Sequence, residues 1–380
     1  MAANKKRNLT IDLLKFIFVL MIVLYHSRRL VVNDECTPMF VGGVFVVEFF
    51  FLTSGYFFAR SATRKPYIDG ESPGVDTGRF MLHKISGFLP NYYVAWVIAF
   101  AVKHIYSAPV SGSTLLDLAN GIWELLFLEM TGIGNGAYIV NNVTWYISAM
   151  LIVMLALYPL LRKHKDTFFY VIAPLIVMFA FGILYQDFRN LKKPYYFING
   201  LIMKGTIRAF AEIALGCMIF KVSEGLKKIR FREGARWLLT ITEILIWTGS
   251  VCYMYGHPRD MSLKMEYLLI AVFSVGLLIT TSGVSKLADW NWGGRFGQKA
   301  VAWLGAFSFS LYLGHGYWCQ VFNGLSIAQG LSYWEKLPRY VAISLCTGLV
   351  IMYVSKLLRF FWKKNGNAVK SLFIHDPEAA

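Results

Sequence analysis

The chain has 380 residues, of which 56% are hydrophobic and only 16% are charged. A soluble domain is usually about 45–50% apolar and about 25% charged, so this composition argues against a soluble protein and indicates a membrane protein. The net charge of +16 is typical of nucleic-acid-binding proteins and also of membrane proteins with basic cytoplasmic loops. The long apolar runs favour the second interpretation, with no nucleic-acid partner.

Several apolar runs reach the roughly 20 residues that a helix needs to cross a bilayer. They are continuous rather than alternating, which argues against a β-barrel. The sequence predicts ten spans, at residues 11–29, 41–60, 84–105, 143–162, 168–186, 200–221, 237–255, 266–283, 302–322 and 338–358. A further segment, 115–130, is short and interrupted by Gly121, and we expect it to be re-entrant or interfacial. The prediction is an all-α polytopic membrane protein with one transmembrane domain over 1–380 and no separate soluble domain.

The distribution of basic residues predicts the orientation. With the N-terminus inside and ten spans, and with basic residues at the span ends counted with the adjoining loops, the inside segments hold 25 of the 38 Lys and Arg residues, the outside loops hold ten and the span interiors hold three. If the segment 115–130 also crossed, the inside would hold 15 and the outside 20. Because cytoplasmic loops carry an excess of Lys and Arg, the first arrangement is favoured, with both termini cytoplasmic.

The first predicted span, "IDLLKFIFVLMIVLYHSRR", carries Lys15 and His26 in an apolar run. Eleven residues at about 100° each come within about 20° of three full turns, so the two side chains share one face, about 16 Å apart along the axis. Asp12 is close enough to pair with Lys15. The face offers a cation near the cytoplasm and a candidate general base nearer the outside. Spacing alone equally permits a snorkelling lysine and a histidine that marks the helix end.

The second predicted span contains Glu48 in its apolar interior. An intramembrane carboxylate is a functional candidate, and one beside His26 could orient or charge-balance the imidazole. The alternative is a structural hydrogen bond between helices. Ser54 and Gly55 interrupt the aromatic run and permit close approach of another backbone. Ser54 is also a conceivable nucleophile.

The third predicted span begins after a basic segment that contains Arg79 and Lys84. Such cations suit a phosphate-bearing cytoplasmic ligand, although ordinary topogenic charge explains them as well. Trp145 opens the fourth span at a position typical of an interfacial anchor. In the sixth span, Arg208 and Glu212 are one turn apart and are expected to pair with each other. Near the end of the chain His315 lies inside a span, where a lone histidine is more often structural than catalytic.

These segments together resemble the acyltransferase-3 family of integral membrane acyltransferases, over nearly the whole chain. The family's first helix carries a basic residue about ten positions before a histidine, as Lys15 precedes His26 here. The other similar segments are "EFFFLTSGYFF" (48–58), "HKISGFLPNYY" (83–93), "TWYIS" (144–148) and "SFSLYLGH" (308–315). Lysine replaces the family's usual arginine at position 15.

The resemblance implies transfer of an acyl group, commonly acetyl from cytoplasmic acetyl-CoA, to a hydroxyl of a cell-surface glycan or another acceptor at the outer face. It implies that His26 is catalytic, with Glu48 beside it, and that no metal is needed. Lys15, Lys84 and Arg79 are the expected donor-binding residues, and Trp145, Ser54 and His315 the expected substrate-binding residues. The expected location is a bacterial cytoplasmic (inner) membrane, with lipid as a further partner.

Two other functions agree with the sequence. A transporter or flippase for a glycan precursor or small molecule would also keep charges in mid-membrane, although inverted-repeat symmetry with paired broken helices is absent from the sequence. A sensor or scaffold without chemistry of its own would leave the intramembrane charges without a role.

Overall fold

The computed structural model describes residues 7–32, 36–64, 67, 70, 72–107, 109–133, 139–188, 190–256 and 262–373, with side chains described to residue 362. The predicted all-α class is confirmed. The long helices are α1 (Leu9–His26), α2 (Val46–Ala62), α3 (Pro73–Tyr106), α6 (Trp145–Lys163), α8 (Ala173–Asp187), α9 (Lys204–Leu226), α10 (Glu233–Gly256), α11 (Leu263–Ser282), α12 (Gly294–His315) and α14 (Tyr333–Phe373).

Shorter elements connect the long helices. The short helices are α4 (Thr114–Asn120), α5 (Ile122–Leu125), α7 (Lys165–Thr167) and α13 (Trp318–Val321). Single 3₁₀ turns lie at Ser27–Leu30, Val41–Phe45, Glu129–Thr131, Lys286–Asp289, Phe322–Gly324 and Ser326–Ala328, and a π-helical turn at Phe168–Ile172 joins α7 to α8. Two strands of two residues each, β1 (Phe197–Ile198) and β2 (Ile202–Met203), pair antiparallel before α9.

Eight of these helical runs are long and apolar enough to cross a membrane. The two predicted spans outside that set correspond to α9 and α12, which have enough residues to cross but carry more polar side chains. The count of ten spans therefore stays a prediction. The cytoplasmic placement of both termini also stays a prediction.

The outer surface of the bundle is apolar, as lipid requires. Val97 on α3, Met178 on α8 and Leu245 on α10 are each exposed over 60% or more of their surface. Inside, Phe18 of α1 meets the edge of Phe49 of α2, with ring centroids 4.7 Å apart. This aromatic contact belongs to a continuous core, which holds α1 in the centre of the helix bundle.

Helices α2 and α9 cross with almost no side chain between them. A Cβ added at Gly55 would lie 2.2 Å from the carbonyl oxygen of Ile213, and one added at Gly216 would lie 2.2 Å from that of Leu52. The close approach expected at Gly55 is therefore confirmed. The crossing places Glu48 of α2 within reach of α9.

The segment 115–130 forms α4, α5 and the turn Glu129–Thr131, none of which is long enough to span a bilayer. The buried carboxylate of Glu124 accepts hydrogen bonds from the backbone N–H groups of Val140 (2.8 Å) and Asn141 (3.0 Å). The segment thereby fixes the loop that leads into α6.

Candidate active site

Helix α1 carries the candidate site along one face. Asn8 caps the helix through a hydrogen bond from the Ile11 N–H to its side-chain oxygen (3.1 Å), and its amide donates to the Thr280 carbonyl of α11 (2.9 Å). An uninterrupted apolar helix follows as far as His26. These two hydrogen bonds of Asn8 fix where α1 begins relative to α11. They therefore also fix the positions of Lys15 and His26 along the helix bundle.

Three cavities follow this face of α1. The N-terminal cavity, about 520 Å³, is lined by Arg7, Asn8, Ile11, Asp12, Lys15, Phe57, Arg60, Ser61 and Arg64. The middle cavity, about 280 Å³, includes Lys15, Val19, Val47, Phe50, Ser54, Lys84, Tyr146 and Tyr312 in its lining. The His26 cavity, about 650 Å³, includes Ile22, His26, Val47, Asn142, Trp145 and Arg208. Lys15 borders the first two cavities and Val47 the last two, so consecutive cavities adjoin.

The prediction that Lys15 and His26 share a face agrees with this arrangement, since both face the row of cavities. Asp12 pairs with the Arg7 guanidinium rather than with Lys15. The ammonium group of Lys15 lies 5.0 Å from the centroid of the Phe57 ring. Within the described residues it forms no ion pair, so it is placed to meet an anionic ligand.

His26 lies against His315 of α12, with ring centroids 5.1 Å apart. The Nδ1 of His315 is 2.7 Å from the Tyr312 carbonyl oxygen. A carbonyl only accepts, so Nδ1 carries the proton and a neutral His315 presents Nε2 as an acceptor. Both His315 Nε2 and His26 Nδ1 are buried without a hydrogen-bond partner among the described residues. His26 lines the His26 cavity, whereas His315 is fully buried against it and lies outside the cavity lining.

Glu48 of α2 pairs with Arg208 of α9. Its carboxylate accepts from Arg208 Nε (3.0 Å), which also lies 2.9 Å from Glu212 Oε1. The expected Arg208–Glu212 pair is confirmed, and Glu48 joins it to form a buried group of two carboxylates around one guanidinium. The orienting or charge-balancing role expected of Glu48 at His26 is not supported by any hydrogen bond between the two residues in the described structure. Glu48 instead holds Arg208 in the cavity wall.

Three of the other predicted site residues line cavities, and a fourth does not. Lys84 lines the middle cavity with Lys15 and Ser54, and the Ser54 hydroxyl is 2.6 Å from that of Tyr146. Trp145 lines the His26 cavity. Arg79 lies on an exposed part of α3 and does not line any of the three cavities.

Sequence reasoning missed the segment between α8 and α9. This segment supplies a large share of the His26 cavity lining, including Asn190, Lys192, Lys193, Tyr195 and Tyr196. The available signal was the run "NLKKPYY", in which two lysines and two tyrosines stand in a loop predicted to lie outside the membrane. The hydroxyl of Tyr195 donates to Glu129 Oε1 (2.7 Å), which ties this segment to the turn after α5.

A buried carboxyl pair lies behind the loop that enters α6. The Thr144 hydroxyl is 3.0 Å from Glu124 Oε1 and 2.7 Å from Glu129 Oε2. Burial raises the pKa of both carboxyls, and their proximity raises that of Glu124 further. The Thr144 hydroxyl can donate its one proton to only one of the two carboxyls at a time. The pair is therefore more stable when one carboxyl is protonated than when both are negatively charged.

The described residues include no group of three His, Cys, Asp or Glu side chains arranged as metal ligands.

Comparison with known protein families decides the class of this site. A family model described as an acyltransferase domain matches residues 8–356. The chain belongs to the acyltransferase-3 family. It is an integral membrane protein, and membership implies acyltransferase activity with an acyl donor and a hydroxyl acceptor. The search of curated proteins and the search of solved structures returned no match.

The match covers every residue that lines the three cavities except Arg7, which directly precedes it. The acyltransferase domain therefore contains both the cation-rich N-terminal end of α1 and the pair of histidines at its other end.

Proposed function

We propose that this acyltransferase moves an acetyl group from cytoplasmic acetyl-CoA to a hydroxyl of a glycan or other acceptor at the outer face of a bacterial cytoplasmic membrane. The observation that carries the proposal is the row of three adjoining cavities along α1. Under the predicted orientation the row runs from the inner end of the helix, at Arg7, to the outer end, at His26.

The donor would enter from the N-terminal cavity. Its phosphates would meet Arg7, Arg60, Arg64 and Lys15, because cations form charge-assisted hydrogen bonds with phosphate oxygens. The middle cavity is smaller, and beyond Lys15 and Lys84 it is lined by aromatic side chains that include Phe50 and Tyr146. That lining suits the uncharged arm of the donor, which would carry the thioester toward His26.

His26 would act as the general base. A neutral imidazole nitrogen takes the proton of the acceptor hydroxyl while the oxygen attacks the thioester carbonyl, the acyl–sulfur bond breaks, and the proton passes to the departing thiolate. His315, which packs against the His26 ring and is fully buried outside the cavity lining, would hold that ring in place. General-base catalysis typically contributes about 10²–10⁴-fold to the rate.

Thioester turnover tests the proposal. Purified full-length protein in detergent is given labelled acetyl-CoA together with an oligosaccharide as hydroxyl acceptor, and thiol release is compared in the unaltered chain, His26→Ala and His164→Ala. His164 is an exposed histidine at the end of α6 and serves as the matched control. We expect turnover in the unaltered chain and in His164→Ala, and its loss in His26→Ala. Equal turnover in His26→Ala would overturn the site assignment. Absence of acetyl-CoA binding, with passage of small molecules across vesicles, would favour a transporter.

A further inference from the structure

The His26 cavity is strongly basic. The cations in its lining are Arg28, Arg29, Lys192, Lys193, Lys204 and Arg208, of which Arg208 pairs with Glu48 and Glu212. Asp187 is the carboxylate among the described lining residues. A neutral glycan hydroxyl needs hydrogen-bond partners but no such excess of positive charge.

The position of these cations makes them unusual. Loops on the outer side of a membrane protein are normally poor in Lys and Arg. Under the predicted orientation Arg28, Arg29, Lys192 and Lys193 all lie outside, and all four line this one cavity. Topology does not explain them, because they oppose the predicted orientation instead of setting it.

Lys204 is a buried cation of this wall that forms no ion pair with the described residues, although Glu266 is near enough to act on its charge. The residue is only 2% exposed. Its ammonium group donates to the Asn190 carbonyl (3.2 Å) and lies 4.4 Å from the centroid of the Phe188 ring. No carboxylate of the described residues is within ion-pair distance of it. Burying a charge without a counter-charge is costly, and an anionic ligand in the cavity would supply that counter-charge.

The segment that carries the lysines is held in place before any ligand binds. The backbone N–H groups of Lys204 and Gly205, at the start of α9, donate to the carbonyls of Tyr196 (2.7 Å) and Pro194 (2.9 Å). Lys193 reaches the Tyr196 hydroxyl at 2.9 Å. A preformed arrangement of donors lowers the entropy cost of binding.

We infer that the acyl acceptor is an anionic molecule, a hydroxyl compound that carries a carboxylate or a phosphate ester bound by Lys192, Lys193 and Lys204. The inference rests on the proposed function, since it assigns the acceptor to the cavity that holds His26. The anion holds the acceptor in the cavity while its hydroxyl meets the imidazole.

Equilibrium binding tests the inference. The ligands are a fluorescent oligosaccharide of glucuronate residues, the same oligosaccharide with its carboxylates reduced to alcohols, and a phosphate ester of the reduced form. Binding is measured to full-length protein in detergent, with and without saturating CoA. The variants are Lys204→Gln, Lys204→Arg and the double substitution Lys192→Gln with Lys193→Gln. Lys264→Gln is the matched control, because Lys264 is exposed and predicted to lie on the same side of the membrane.

We expect the unaltered chain to bind one or both anionic ligands at least about tenfold more tightly than the reduced ligand. The two Lys→Gln variants lose this preference, whereas Lys204→Arg and Lys264→Gln retain it. The carboxylate and phosphate ligands show which anion is preferred. Equal binding of charged and neutral ligands, or a preference that the variants keep, would overturn the inference.

Two further measurements distinguish failure of this inference from failure of the proposed function. A preference that saturating CoA abolishes would also overturn the inference, because the anion would then occupy the donor site. Thioester turnover by the unaltered chain is measured in parallel. Turnover without an anion preference refutes the inference alone, whereas absence of turnover refutes the proposed function.

Discussion

The N-terminal cavity and the His26 cavity lie toward opposite ends of α1, and both are lined by cations. In the N-terminal cavity the described side chains include Arg7 paired with Asp12, and no imidazole is among them. The His26 cavity is bordered by His26, which packs against His315. Among the described lining residues, positive charge is therefore present at both ends of the helix, whereas an imidazole is present at only one. Binding of the donor and proton transfer should therefore be separable by mutation.

The largest expected effect is that of His26→Ala on the rate of transfer. We expect kcat to fall by about 10²–10⁴-fold, because the general base is lost, while the Kd for acetyl-CoA changes by less than about threefold. Stopped-assay kinetics and equilibrium binding on the same preparation measure the two quantities. A large loss of acetyl-CoA affinity in His26→Ala would mean that the two ends of α1 are not separable.

The second expected effect is a loss of stability when Arg208, in the wall of the His26 cavity, is replaced. Arg208→Met leaves Glu48 and Glu212 buried without their cation, and removing one partner of a buried ion pair typically costs about 3–5 kcal/mol. We expect a clear fall in the free energy of unfolding, measured by denaturant titration in detergent. Lys227→Met is the control, because Lys227 pairs with Glu224 and both side chains are more than a third exposed, and such surface pairs contribute about 1 kcal/mol or less. Equal effects of the two substitutions would contradict the burial argument.

The third expected effect is on the donor. Lys15→Ala should raise the KM for acetyl-CoA by about tenfold, roughly the value of one charge-assisted contact, with a smaller change in kcat. Lys15→Arg keeps the charge and should retain most of the affinity. Lys299→Ala, which removes an exposed cation on α12, is the control. If Lys15→Ala lowered kcat and left KM unchanged, Lys15 would belong with the chemistry at His26 and not with the donor.

Much of this arrangement could be predicted from the sequence, because it depends on one helix. Helical geometry alone placed Lys15 and His26 on one face, and an apolar run of the right length predicted the helix. Glu48 could not be placed in the same way. Its partner was decided by which helix crosses α2, and Arg208 is 160 positions away in the chain. The Gly55–Gly216 crossing brings the two together, and a single sequence gives no signal for that pairing.

The His26–His315 contact and the lysines before α9 were missed for the same reason. Each histidine was visible as a residue inside an apolar run, but their proximity depends on how α1 packs against α12. A Cβ added at Gly305 would lie 2.5 Å from Asp12 Cβ, so these two helices approach very closely. Helical periodicity thus predicted which residues share one face of a helix. It could not predict which helix packs against that face, because that depends on the tertiary structure.

The smallest expected effect concerns the carboxyl pair behind the His26 cavity. Burial raises the pKa of Glu124 and Glu129 above the ordinary value of 4.5, so the folded chain holds their proton more tightly than the unfolded chain does. The resulting stability is fully present below pH 4.5 and is lost as the pH rises through the raised folded-state values. We expect the melting temperature to fall between about pH 5 and pH 8, and Glu129→Gln to reduce that slope because an amide does not ionise. Glu224→Gln, at an exposed ion pair with Lys227, should leave the slope unaltered. An identical slope in Glu129→Gln would mean that this pair does not share a proton, and that the hydrogen bond from Tyr195 reaches a permanently charged carboxylate.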